Sequence, residues 1–415
     1  MNQIIYRRKD CRGCGSENIE LFFSLKPSPI GDAYVLKDKV HIHQPSYPID
    51  LFMCKDCGLA QLPDVIDSDV LYGDYIYNTS SSFGLNTHFK QYAEHVIQKC
   101  KLEKASLVID IGSNDGTLLN YFQLGGMKVL GIEPAPHIAI IANNNGVKTK
   151  NGYFNSDLVK QVIAEEGKPK LITSNNVFAN IDDINAWVSA IAELLDKQGV
   201  YVFESYYLAD LIENMVFDFI YHEHISSFSV KPIKALFEKY GLELASVERV
   251  PTKGGSLRYF IQFPGGPLDK DTTVRDLIAF EEEKGLYKKE TYNAYTEKID
   301  ILKNNLKDFL VKAKAENKTI AGFGASITGT TLIYHFEIGE YIDYLVDDNV
   351  AKLGRFSPGH HIPVYPTSVI YEKKPDYVIV LAWRFADIFI EKNREFIKTG
   401  CKFVIPVPEF KIISE

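Results

Sequence analysis

The densest chemistry in the chain is Tyr221-His222-Glu223-His224, where a phenol, a carboxyl and two imidazoles occupy consecutive positions. Imidazole gains and loses a proton near neutral pH, so such a segment could remove a proton from a substrate. Taking a C–H proton from beside a carbonyl needs a base of this kind and donors for the oxygen that becomes negative. A histidine can serve as the base, Glu223 can orient or tune it, and Tyr221 can donate to the oxygen. The histidines stand at i and i+2, whereas the HExxH motif needs i and i+4 on a helix, so no catalytic zinc is expected here. His222 alone reads as a satisfied core histidine.

Four of the six cysteines are paired, as Cys11-Arg-Gly-Cys14 and Cys54-Lys-Asp-Cys57. Two intervening residues let each pair grip one edge of the tetrahedron zinc prefers, and four thiolates leave no position open for chemistry. A structural Zn2+ is expected at Cys11, Cys14, Cys54 and Cys57, with Gly13, Gly15 and Gly58 turning the chain back on the sulfurs. A thioredoxin-like redox pair needs one CxxC beside a βαβ unit, a setting neither pair has. Cys100 and Cys401 stand alone and read as small buried hydrophobes.

Two glycine loops offer places for a ligand. The first, Asp110-Ile-Gly112-Ser113-Asn114-Asp115-Gly116, follows the apolar run LVIDIG (107–112) and precedes a helical stretch. Glycines at a strand-to-helix turn let backbone amides approach a ligand closely. Asn114 stands where the fingerprint GxGxxG needs its second glycine, which argues against a nicotinamide cofactor. The acidic strand end followed by glycine resembles motif I of the class I methyltransferases, whose loop lies under the methionine moiety of S-adenosylmethionine. Glu133, 23 residues after Asp110 at the end of the next strand, suits a carboxylate accepting both ribose hydroxyls. Asn175 and Asn176 of SNNVFAN (174–180) fall at the carboxyl edge of a further strand, where such sheets bind ligands. The second loop, Gly322-Phe-Gly324-Ala-Ser, is followed by a strand ending in Asp347 and Asp348. It matches half of a dinucleotide fingerprint and lacks the third glycine. Either Gly324 and a helix N-terminus receive the diphosphate of a nucleotide-bearing substrate there, or the domain is purely structural.

A carbon must become a carbanion equivalent before it can take methyl from a sulfonium, and deprotonation beside a ketone to an enolate achieves this. An O- or N-methyltransferase needs only a base for a hydroxyl or amine, so these residues alone leave the methylated atom open.

Alternating apolar runs and amphipathic stretches must position these groups. The runs LVIDIG (107–112), KVLGIE (128–133), KLITSNN (170–176) and VYVFES (200–205) predict a parallel α/β sheet. LELASVERV (242–250) and SLRYFIQF (256–263) read as an antiparallel hairpin around PTKGG. Residues 271–317 predict one or two connecting helices, after which α/β alternation restarts at TIAGFGAS (319–326), YIDYLVDD (341–348), DYVIVLAW (376–383) and KFVIPVP (402–408). The expected class is α/β: a zinc module over 1–78, a methyltransferase domain over 79–268, and connecting helices with a second, smaller Rossmann-like domain over 269–415. With 46% hydrophobic and 24% charged residues the 415-residue chain can build several cores. A net charge of −8 and a pI near 5.8 argue against a nucleic-acid partner. With no run of 18 apolar residues and no signal-peptide core, neither a membrane partner nor export is expected, and the expected location is the cytoplasm.

Taken in order, the two CxxC knuckles, YGDYIYNTSSS (72–82), DIGSNDG, YHEHIS (221–226), PTKGGSLR (251–258), GFGA (322–325), VDDN (346–349) and SPGHHIPV (357–364) resemble the sugar C-methyltransferases of deoxysugar pathways. The resemblance covers essentially the whole chain. It implies S-adenosylmethionine as cofactor, structural zinc, and a nucleotide-linked 4-keto sugar methylated at C3. It further implies His224 as general base with Tyr221 and Glu223 beside it, and Tyr75 and Tyr77 in a segment that reaches the active site. Lys253 and Arg258 become contacts to the nucleotide phosphates, and Asn180 a substrate contact. This chain departs from its relatives at Asn78 and Asn180, where histidines are common, and at Ser326-Ile327-Thr328-Gly329, where a lysine usually follows the loop. Arg384 replaces a frequent asparagine. These differences bear on the sugar and the base more than on the cofactor. The rival readings are an O- or N-methyltransferase of a nucleotide sugar, an NAD-dependent sugar oxidoreductase suggested by the second loop, and a non-catalytic zinc-bearing binding module. Intact Asp110, Glu133 and His224 argue against the last.

Overall fold

The computed structural model describes residues 4–72 and 84–414, so Tyr75, Tyr77 and Asn78 lie outside the described residues. The central sheet has seven strands, in chain order Leu107–Ile111, Lys128–Glu133, Thr149–Asn151, Leu171–Asn175, Val200–Tyr206, Glu243–Val250 and Ser256–Gln262. Across the sheet they run third, second, first, fourth, fifth, seventh, sixth. The first five are parallel, and the seventh enters antiparallel between the fifth and sixth. Strands buried on both faces read as continuous apolar runs, which is why four of the five parallel strands were legible. The expected hairpin is the sixth and seventh strands. The strand Thr149–Asn151 was not expected, since TKN carries no apolar signal.

The connecting region forms two helices, Thr273–Glu283 and Lys289–Ala315. The longer one buries Tyr292, Tyr295, Ile299, Leu302, Leu306, Leu310 and Ala313, a stripe at helical spacing. Tyr292 and Tyr295 of that stripe pack on Phe22 and Phe23 of the N-terminal module, with ring centroids 5.1 and 5.3 Å apart. The C-terminal domain holds six strands, of which the first five are parallel and Lys411–Ile413 closes one edge antiparallel.

The N-terminal module pairs Ile19–Ser28, Tyr47–Cys54 and Ala60–Gln61 in an antiparallel sheet. A fourth strand of this sheet, Ser226–Ser227, comes from the middle of the chain and directly follows the Tyr-His-Glu-His segment. The boundary expected near residue 78 is therefore crossed by a backbone ladder, and the cysteine module holds the segment in place. Among the described residues no helix is long and apolar enough to cross a membrane.

Candidate functional site

The cysteine module brings its four sulfurs within 4.8 Å of one another, with Cys11–Cys57 and Cys14–Cys54 each at 3.6 Å. A zinc tetrahedron with arms of about 2.3 Å has edges of about 3.8 Å, so the four thiols fit one Zn2+. The two knuckles are built alike: the Gly15 amide donates to the Cys11 carbonyl and the Gly58 amide to that of Cys54. Gly15 and Gly58 take φ of 79° and 82°, a region glycine enters freely.

Between the first two ligands stands Arg12, 1% exposed, which sequence reasoning passed over. Its guanidinium donates to the Ile225 carbonyl at 2.6 Å, the Leu62 carbonyl at 3.0 Å and Asp182 at 3.2 Å. Ile225 follows His224, so the knuckle grips the backbone that carries the candidate base. Removing Asp182 would leave the buried Arg12 charge without its counter-ion. No sequence signal marks Arg12, since arginine inside a CxxC is ordinarily a solvated turn residue.

His224 is 5% exposed and both ring nitrogens are engaged. Its Nδ1 lies 2.8 Å from the Phe219 carbonyl, which can only accept, so Nδ1 carries the proton. Nε2 is then the bare nitrogen and accepts from the Tyr221 hydroxyl at 2.9 Å. Tyr221 and Tyr206 both stack on the imidazole, at centroid distances of 4.0 and 4.8 Å. Burial pushes His224 down to about 3, opposed by the Phe219 bond and helped by the Lys253 charge, so the ring is neutral. The carboxyl of Glu223 is pushed the other way, to about 8, by burial and by Asp32, against the charges of Lys352 and Lys253. His222 turns to the N-terminal module, with Nε2 3.2 Å from the Tyr47 carbonyl and its ring edge-on to Tyr47. Burial holds His222 down to about 4.

The first glycine loop lies at the carboxyl end of the first strand. Gly112, Asn114 and Gly116 take φ of 73°, 49° and 80°, and a side chain at Gly112 would collide with Val177. Glu133 is oriented by two backbone amides, Asn114 to Oε2 and Ala135 to Oε1, each at 2.9 Å. That leaves lone pairs on both oxygens for the paired hydroxyls of a ribose. Ser113 turns its buried, unbonded hydroxyl beneath the loop toward Gly131, so its part in the loop is its backbone. Asp110 accepts from the Thr173 hydroxyl at 2.6 Å, and burial still pushes its carboxyl up to about 7. The side-chain amide of Asn175 is buried beside the Tyr92 hydroxyl, with neither polar atom in a well-formed hydrogen bond. Asn176 has φ of 57° and donates its backbone N–H to the Glu204 carbonyl. Asn180 sits in a short turn, Phe178–Asn180, beyond the same strand end.

Arg258 is not the free cation expected in the hairpin. It is buried, donates to Glu204 at 3.0 Å and lies 4.2 Å above the Tyr92 ring. Glu204 also accepts from His88 at 2.8 Å and Thr252 at 2.9 Å. Burial alone would raise Glu204, but these partners hold it below the usual carboxylate range. His88 is a second residue the sequence did not mark, because one imidazole on an amphipathic helix carries no motif. Gly324 also differs from expectation. It is buried against Ala382, and its amide donates back to the Val346 carbonyl. The next amide, of Ala325, is taken by Asp347 at 2.6 Å, so neither of these two amides faces a diphosphate.

Three family models match successive stretches of the chain: a zinc binding domain over 11–72, a methyltransferase domain over 85–247, and a C-methyltransferase C-terminal domain over 251–408. Among curated proteins, the C-methyltransferase NovU of Streptomyces niveus is 29% identical over 100% of this chain and 99% of its own. Among solved structures, the magnesium protoporphyrin IX methyltransferase of Synechocystis PCC 6803 with bound SAH is 14% identical, covering 43% of this chain and 83% of that one, with a TM-score of 0.35. An S-adenosylmethionine-dependent methyltransferase from Clostridium acetobutylicum ATCC 824 is 12% identical, covering 48% of this chain and 96% of that one, with a TM-score of 0.34.

Proposed function

From the premise that this chain belongs to the S-adenosylmethionine-dependent C-methyltransferases with an N-terminal zinc-binding domain, we propose that it methylates a nucleotide-linked keto sugar beside the carbonyl, at C3 of a 4-keto hexose. C-methylation sets aside the O- and N-methyl readings, and the cofactor sets aside the nicotinamide one. The cofactor supplies an electrophilic methyl group on a sulfonium. Asp110, the loop residues Gly112, Ser113, Asn114 and Gly116, Glu133, Asn175 and Asn176 hold it, with Glu133 on the ribose.

The observation that carries this reading is the tautomer of His224. Its bare Nε2 is capped by the Tyr221 hydroxyl, and the pair is buried at the carboxyl edge of the cofactor sheet. When the sugar carbonyl takes the Tyr221 O–H, Nε2 is uncovered toward the neighbouring C–H. His224 then removes that proton while Tyr221 donates to the oxygen. Glu223, protonated at neutral pH, can ionise as the imidazole becomes charged, so the pocket keeps its net charge. A site needing only to deprotonate a hydroxyl has no use for an oxygen donor capping the base.

The test is to incubate the enzyme with nucleoside-diphosphate 4-keto sugars and isotopically labelled S-adenosylmethionine, and to locate the methyl by mass spectrometry. A label on carbon in the wild type, lost by about 10² or more in His224→Ala, supports the reading. Failure of every sugar in the panel, or full activity in His224→Ala, overturns it.

A further inference from the structure

The turn joining the sixth and seventh strands of the central sheet is built at some cost. Lys253 takes φ 57° and ψ 24°, a conformation that a side chain beyond Cβ makes unfavourable by about 1 kcal/mol or more. Gly254 and Gly255 follow at φ of 88° and 126°. The turn is pinned on every side: Thr252 donates to Glu204, Asn214 to the Gly254 carbonyl, and the Tyr207 amide to the Gly255 carbonyl. A side chain at Gly254 would strike Val216, and one at Gly255 would strike Asp210. Glycine would suit the backbone at position 253 better than lysine.

Lys253 is half-buried as a residue, and its ammonium makes no ion pair or hydrogen bond among the described residues, although Arg12, Arg258, Lys352 and Arg384 are each paired. Around it stand Glu204 from the fifth strand, Glu223 and His224 from the Tyr-His-Glu-His segment, and Arg384 from the C-terminal domain. Arg384 is already bound to Asp218 at 3.0 Å. Lys253 also lines a cleft of about 610 Å³ between the hairpin turn and residues 383–385, large enough for part of a substrate. On the same wall Arg249 is neutralised by Asp210. Lys253 is thus the cation of this cleft that lacks an ion-pair partner among the described residues, and its charge acts on both His224 and Glu223.

We propose that Lys253 is a catalytic residue whose ammonium receives the acceptor's carbonyl oxygen as that oxygen becomes an enolate. The role differs from the phosphate contact expected from the sequence, and it rests on the enolate reading above. In the step, His224 takes the proton and the C–H electron pair becomes the enolate π bond, with the negative charge on oxygen beside Lys253. The enolate carbon then forms its bond to the methyl, the methyl–sulfur pair stays on sulfur, and the carbonyl is restored. Lys253 keeps its proton throughout. Burial and Arg384 hold its ammonium down to about 8, against Glu204 and Glu223, so the cation is lost as pH rises past that value.

The experiment compares wild type, Lys253→Met, Lys253→Gly and Lys253→Arg. It measures exchange of the sugar C–H in heavy water with the demethylated cofactor, kcat and KM for methyl transfer, and cofactor affinity as a folding control. Lys253→Gly relieves the backbone strain, so a folded variant is available. The Met and Gly variants should lose about 10²-fold in both exchange and kcat with unchanged cofactor affinity, and Arg should restore part of it. The fall in wild-type kcat above about pH 8 should move upward in Lys253→Arg. A rise in KM alone, or exchange within threefold of wild type in the Met and Gly variants, overturns the proposal. If His224→Ala is inactive while Lys253→Met is normal, only this inference fails. If the wild type methylates no keto sugar, the reading beneath it fails first.

Discussion

The molecule contains two strand–glycine–helix turns of the same local grammar, set in different surroundings. In the first, Gly112 and Asn114 stay half-exposed, Glu133 presents an oriented carboxylate, and the buried amide of Asn175 lacks a well-formed hydrogen bond. In the second, Gly324 and Ala325 are buried, Asp347 has turned back onto the Ala325 amide, and Lys352 donates to the Ala325 carbonyl. The N-terminal module lies across the helix that follows. Thr330 donates to the Gly31 carbonyl, a Cβ on Gly31 would meet Ile327 at 2.6 Å, and Asp32 pairs with Lys352. A glycine turn permits close approach, but what approaches can be a ligand or another part of the same chain. The difference is written in the neighbours, not in the glycines.

If the second turn serves as an interface, it depends on the zinc module, and the largest effect should come from removing the metal. Structural zinc contributes of the order of 10 kcal/mol in small modules that fold around it. Chelation should greatly increase hydrogen exchange at the Ala325 and Thr330 amides, while the 110–117 loop, protected by the demethylated cofactor, should change little. Equal loosening of both turns would break the distinction.

Next in size is a pH effect confined to the first turn. Burial raises Asp110 to about 7 from an unfolded value near 4, so the folded state holds a proton that the unfolded chain releases. That stabilising contribution is complete below about pH 4 and is lost as pH rises through 7, amounting to a few kcal/mol at most. Asp110→Asn should therefore gain in Tm relative to wild type between pH 4 and 8. The demethylated cofactor, whose ammonium brings a positive charge to the loop, should narrow that gap. A gap independent of pH would show that Asp110 is ionised in the folded protein.

Third, Glu133→Ala removes a charged acceptor of two ribose hydroxyls and should weaken cofactor binding by about 2 kcal/mol. Asp347→Ala, the matching change in the second turn, should leave cofactor affinity within a factor of two and lower Tm instead. Calorimetry on the two variants decides the matter, and equal losses of affinity would merge the two turns into one function.

The sequence was most informative where one residue type permits one role. Four cysteines in two knuckles, the glycines of the first loop and the apolar strands could hardly be read otherwise, and the cofactor, the metal and the class of fold were legible from them. It was least informative where a polar residue's partner is distant in the chain. Arg258 looked like a phosphate contact until its neighbour across the sheet, Glu204, stood on the page. Arg12 looked like a turn residue, although its partners Asp182 and Ile225 lie 170 and 213 residues away. At Gly324 a sequence does not display Ala382 and Asp347, which pack on that turn. The strand Ser226–Ser227 is two residues long, too short to carry a pattern, yet it anchors the Tyr-His-Glu-His segment.

The smallest expected effect isolates the cover of the second turn from its glycines. Thr330 is buried, and its hydroxyl donates to the Gly31 carbonyl at 2.9 Å, bridging the C-terminal helix to the N-terminal module. Thr330→Val keeps shape and volume, removes that donor, and leaves the Gly31 carbonyl short of a partner. A loss of about 1 kcal/mol follows, a small downward shift of Tm in a chain of this length. Gly31→Ala attacks the same contact sterically, and its cost depends on how far Ile327 can move, commonly about 1–3 kcal/mol. Because both changes act on one contact, the double variant should cost less than the sum of the two single losses. Cofactor affinity should be untouched in all three. Additive losses would mean that Thr330 and Gly31 stabilise the protein independently, and the second turn would then lack the coupled interface that sets it apart from the first.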